Sequence, residues 1–148
     1  MTEVIVKIKP LIDNFTMPLQ ATPGSAGFDC YYQGEEDILI IANSWKLIPL
    51  GFSMEIAPGY EAQIRPRSGL AKNHGVTILN SPATLDADYR GPVGAILINH
   101  AFHSGYMVKP MDRICQIVIA PVPKVQLERV DSLSDTERGS GGFGSTGV

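Results

Sequence analysis

The sequence predicts an all-β sandwich or barrel with one short helix and a flexible glycine-rich C-terminal arm, and three observations point there. Short runs with period-two alternation and β-branched enrichment recur along most of the chain. Turn punctuation separates them, as PGS at 23–25, PG at 58–59, RG at 90–91 and SG at 104–105, the rhythm of sandwiches and barrels. A single stretch reads as helix.

In chain order, the expected strands are VIVKI (4–8), FDCYY (28–32), DILII (37–41), FSMEIA (52–57) and YEAQI (60–64). VTILN (76–80), VGAILIN (93–99), RICQIVIA (113–120) and KVQLERV (124–130) follow. Between the fifth and sixth lies the helix, RSGLAKNHG (67–75), with Ser68 as its N-cap and Gly75 at the position where a left-handed residue ends a helix. NSPATLDADYRG (80–91) reads as a β-hairpin with its tip at Pro82, returning through Asp86, Asp88 and Tyr89; on a returning strand the two acids share one face and Tyr89 takes the other. No repeat of fixed period occurs. The polar stretch DSLSDTE (131–137) leads into RGSGGFGSTGV, which sets a β-domain at 1–130 and a mobile arm at 131–148.

The 148 residues suffice for one hydrophobic core without staples. A net charge of −3 lacks the basic footprint that a polymeric nucleic acid requires. No apolar run approaches the ~18 residues of a membrane span, and MTEVIVKIKP lacks a secretory apolar core, so we expect a cytoplasmic chain without a membrane partner. Cys30 and Cys115 show no CxxC spacing and read as buried reduced thiols. His74, His100 and His103 match no metal-ligand signature.

Five stretches can carry chemistry. In the arm, successive glycines let backbone N–H groups converge on an anion, Ser145 and Thr146 add hydroxyl donors, and Arg138 adds a planar fork for phosphate. Phe143 offers a face on which a nucleobase can stack, or an anchor pinning the arm to the core. Arg67 and Ser68 open the helix and form either an anion site or an ordinary capped end. Asp86 and Asp88 are either a solvated face or a catalytic pair. Arg113 and Gln116 interrupt a core-type strand and need partners, and Asp29 sits as an acid in the strand-like AGFDCYY.

Taken together, AGFDCYY, PRSGLAKNHG, NSPATLDADYRG, DRICQ and RGSGGFGSTG stand in the order and spacing of the five motifs of the trimeric dUTP diphosphatase (dUTPase) family, and the chain resembles a member over residues 26–147. The resemblance implies a jelly-roll fold, a homotrimer with active sites shared between subunits, and Mg²⁺-dependent hydrolysis of dUTP to dUMP and pyrophosphate. It implies that Asp86 orients and deprotonates the attacking water, that Tyr89 packs on the deoxyribose, and that Asn80 reads uracil. Arg67, Ser68, Gly69 and Gln116 become phosphate contacts, and Arg113 a further substrate-binding residue. Arg138, Phe143, Gly144, Ser145 and Thr146 become a lid supplied by another subunit, with Phe143 over the base. Asp29 matches a carboxylate that reaches Mg²⁺ through water, the ion being held mainly by triphosphate oxygens.

This chain departs from the family pattern at Ala83, where many members have Gly, and in MDRICQ, where they have GDRIAQ. Two rival readings fit part of the pattern. A dCTP deaminase of the same fold family needs a glutamate near the base, which the 80–91 stretch lacks; a non-catalytic nucleotide-sensing trimer needs no Asp86.

Overall fold

The computed structural model describes residues 3–145. Along them run β1 (Val6–Pro10), β2 (Gly27–Tyr31), β3 (Ile38–Ile40), β4 (Ser44–Ile56), β5 (Tyr60–Arg65), α1 (Ser68–His74), β6 (Val76–Ile78), β7 (Ala83–Leu85), β8 (Pro92–Asn99), β9 (Tyr106–Val108) and β10 (Arg113–Pro121). Two four-stranded sheets, β1-β4-β8-β6 and β2-β10-β5-β7, form a jelly-roll-like sandwich, and β3 pairs with β9 beside them. All strand pairs are antiparallel. The all-β class expected from alternation therefore stands.

The core follows the alternation. Ile48, Leu50 and Phe52 of β4, Ile64 of β5, Leu97 of β8 and Ile117 of β10 are buried between the sheets, each such side chain contributing about 1.5–3 kcal/mol. Cys30 and Cys115 are free, buried thiols, as expected. Contact with Cys115 comes first, and burial second, in pushing the Cys30 thiol pKa far up.

Several local expectations change. β1 starts two residues later than VIVKI. β4 begins at Ser44, because Pro49 and Gly51, which look like breakers, lie inside it: the register shifts between Pro49 and Ser53, and Gly51 adopts φ 81° there. The first half of β4 pairs with β8 and the second with β1. β7 and β9 have three residues each, as β3 and β6 do, but lack the flanking β-branched run that marked DILII and VTILN. Among the described residues KVQLERV forms no strand, and Val125 and Leu127 stand exposed. The N-cap of α1 is Arg67, which makes no side-chain cap bond, so Ser68 is the first helical residue and not the cap. Gly75 does close the helix, at φ 67° with its N–H on the Ala71 carbonyl.

The 80–91 hairpin is also corrected. β6 joins β8 in one sheet while β7 joins β5 in the other, so the segment crosses between sheets and does not pair with itself. Asp86–Tyr89 forms a turn closed by the Tyr89 N–H on the Asp86 carbonyl at 3.1 Å, so Asp86, Asp88 and Tyr89 are not arranged on strand faces.

Candidate active site

The outer face of the second sheet gathers polar residues where its alternation directs them. Cys30 faces the core, so Asp29 and Gly27 point outward, and Gln116 of β10 stands in register with Asp29 on one side and Arg65 on the other. The Asp29 carboxylate is the hub. Arg67 donates to it through Nε at 3.0 Å and Nη2 at 3.4 Å, and Arg113 through Nη1 at 3.3 Å. Its side chain is only 14% exposed, so the pairing offsets a real desolvation cost. Arg67 Nη1 also donates to the Arg113 carbonyl, and the Gln116 amide donates to the Pro66 carbonyl at 3.0 Å.

These groups surround a cavity of about 330 Å³, with Ser25, Gly27, Asp29, Arg67, Ser68, Gly69 and Gln116 in its walls. Arg113 stands outside these walls, but the cluster it forms with Arg67 and Asp29, two guanidinium groups against one carboxylate, is net positive and favours an anion beside the cavity. A cleft of about 460 Å³ lined by residues such as Val6, Ile8, Phe28 and Met54 is larger but apolar, and suits packing rather than charge.

The remaining candidates lie elsewhere in the chain. Leu85 pairs with Ala62, itself opposite Ile119, whereas Asp29 pairs with Gln116. Strand geometry thus sets Asp86 roughly 20 Å from Asp29, at the other end of the sheet. Tyr89 folds its ring across Gly91, where a side chain would overlap it, and donates to the Pro92 carbonyl at 3.0 Å. Asn80 is exposed in the turn after β6. Ala83 sits in the β5 ladder with its methyl against the core.

The arm turns on itself. Arg138 Nε donates to the Gly141 carbonyl at 2.8 Å, and Gly141 and Ser145 N–H groups close two further turns. Gly144 takes φ 88° and Phe143 φ 52°, with the Phe143 ring fully exposed and anchored to no part of the domain. Thr146 lies outside the described residues.

A family model described as dUTPase matches residues 13–147. The chain is 50% identical over 142 residues to the deoxyuridine 5'-triphosphate nucleotidohydrolase of Nautilia profundicola, covering 96% of this chain and 98% of that protein. The enzyme of the same name from Maricaulis maris is 46% identical over 152 residues, with 100% and 99% covered. The chain belongs to the dUTPase family. Among solved structures, the dUTPase of Staphylococcus bacteriophage 80alpha with dUPNHPP superposes with a TM-score of 0.85 at 25% identity, covering 97% of this chain and 99% of that one.

As a dUTPase-family chain, it brings together in one protomer Asp29, Arg67, Ser68, Gly69, Arg113 and Gln116, while among the described residues no hydrogen bond, ion pair or cavity wall joins Asn80, Asp86, Tyr89 or Arg138–Ser145 to them. Residue reading singled out neither Ser25 nor Gly27, since TPGSAG looks like turn punctuation; Pro66 escaped because its contribution is a carbonyl. Among the described residues no three His, Cys, Asp or Glu side chains form a metal cage.

Proposed function

We infer that the chain hydrolyses dUTP to dUMP and pyrophosphate by attack of water at the α-phosphate. The observation that carries this reading is the match of a dUTPase family model to residues 13–147, over a chain that holds the net-positive Asp29–Arg67–Arg113 cluster beside a cavity walled by Asp29, Arg67, Ser68, Gly69 and Gln116. Arg67, Arg113, Ser68, Gly69 and Gln116 receive the phosphates there. Asp86 orients the attacking water and takes its proton. Tyr89 packs on the deoxyribose and Asn80 reads the uracil edge, where mispaired polar groups would reject other bases.

Separation of these groups within one protomer supports a homotrimer whose sites are shared. One subunit supplies Asp86, Asn80 and Tyr89, a second the Asp29 cluster, and a third closes its arm. Arg138, Gly144, Ser145 and Thr146 then clamp the distal phosphate and Phe143 stacks on the base; the exposed ring and local turns of the arm suit a segment that folds onto a ligand. We place residues 131–148 as that arm, in a cytoplasmic enzyme.

Mg²⁺ fits the donors present. Three guanidinium contacts occupy most of the roughly four lone-pair positions of Asp29, leaving capacity for a water rather than for inner-shell coordination. That matches an ion held by substrate phosphates and reached by a single carboxylate through water. When bound, Mg²⁺ neutralises phosphate charge and polarises the reacting phosphorus.

Separate incubation with dUTP, dCTP, dTTP and UTP plus Mg²⁺, followed by product analysis, tests the reading. Pyrophosphate from dUTP alone is expected. Ammonia from dCTP would identify a deaminase, and no turnover at all a sensor.

A further inference from the structure

Gly27 stands in β2 with ordinary extended backbone, so conformational freedom does not explain it. What explains it is space. Gly27 pairs with Val118 and Asp29 with Gln116, which sets Gly27 diagonal to Gln116 on the same outer face. A Cβ built on Gly27 would overlap the Gln116 amide oxygen and lie 3.0 Å from its Cδ and 3.3 Å from its Cβ. The Gln116 side chain therefore occupies the volume that any other residue at 27 would fill.

That amide has a task in the place where it lies. Its Nε2 donates to the Pro66 carbonyl at 3.0 Å, tying β10 to the connection between β5 and α1. Arg67, Ser68 and Gly69 follow at once and form one wall of the cavity. The Arg67 side chain is held separately, by Asp29 and by the Arg113 carbonyl, whereas the Gln116 amide grips the backbone of the segment itself, at the Pro66 carbonyl.

We propose that Gly27 is a positioning residue: its missing side chain is the seat from which the Gln116 amide clasps Pro66 and holds the Arg67–Gly69 wall in place for phosphate. The proposal rests on the reading of this cavity as the triphosphate site. The overlapping atom belongs to the end of a flexible side chain, so Gly27→Ala displaces the amide without breaking the sheet, and alanine loses less backbone entropy in a strand than glycine. The lesion is confined to the clasp.

The test is a cycle of Gly27→Ala, Gln116→Ala and the double variant. Gly27→Ala should keep the wild-type circular dichroism and melting temperature, while kcat/KM for dUTP falls on the order of tenfold to a hundredfold, with the larger share in KM. Because Gly27 acts through Gln116, the double variant should lose no more than Gln116→Ala alone. Multiplying losses, or an unaffected Gly27→Ala, would overturn the proposal. A crystal structure of Gly27→Ala supplies a readout independent of turnover: the amide should have left the Pro66 carbonyl, and finding it still bonded there would also overturn the proposal. If the wild type failed to hydrolyse dUTP, the substrate assignment would fall, while the crystal structure would still decide the coupling of residues 27 and 116.

Discussion

Asp86 shows how much one side chain is asked to carry. Among the described residues no hydrogen bond or ion pair holds its carboxylate, and its exposed placement after β7, at the start of a hydrogen-bonded turn, fits a group kept for a ligand. We predict that Asp86→Asn still binds a non-hydrolysable dUTP analogue but turns dUTP over at least ~10²-fold more slowly, the low end for a lost general base; steady-state kinetics beside calorimetric binding check this. Met111 illustrates a different constraint. It adopts φ 68° to deliver its N–H to the Tyr32 carbonyl at 2.6 Å, a left-handed conformation costing a non-glycine residue about 1–2 kcal/mol. Half-exposed, its side chain repays little of that, so Met111→Gly should raise stability by about 1 kcal/mol in urea unfolding. The departure from GDRIAQ is visible in the sequence, but the positive φ is not.

Elements here are joined by a few polar ties as well as by ladders. Asn99, at the end of β8, is fully buried; its amide donates to the Ile40 and Ser104 carbonyls at 3.1 and 2.9 Å, and its oxygen accepts from Ala101 N–H at 2.9 Å. It fastens the small β3-β9 sheet to the sandwich. Asn99→Leu would orphan three backbone groups and should destabilise by about 3 kcal/mol, read as a lower urea midpoint with unchanged slope. Alternation found the strands of this region only in part: β8 was legible as VGAILIN, whereas β9 offers three residues and no period. KVQLERV shows the opposite failure, since it has strand composition but finds no partner among the described residues. A period reports which side of a strand is apolar, not what pairs with it.

For the whole molecule, the proposed sharing of sites makes a quantitative prediction. Asp86→Asn and Arg113→Ala should each be nearly inactive alone. Unfolded together in equal amounts and refolded, they should regain activity in about a quarter of their sites, the product of two one-in-two choices of subunit. If both residues served from the same chain, mixing would restore nothing. Deleting residues 138–148 should leave elution volume and circular dichroism unchanged while abolishing turnover, because the described arm residues hydrogen-bond only locally. A truncated protein that loses its oligomeric state would contradict the lid role.

The sequence by itself determined the β character, the one helix with its glycine stop, and the order of five motifs, because each depends on residues close together along the chain. Tertiary structure alone decided that β6 and β7 part into different sheets, that Asp29 meets Arg67 across 38 positions, that Gly27 yields its space to Gln116, and that Asp86 falls at the far end of the sheet. Those outcomes depend on which distant faces bury one another best. No local period encodes that choice.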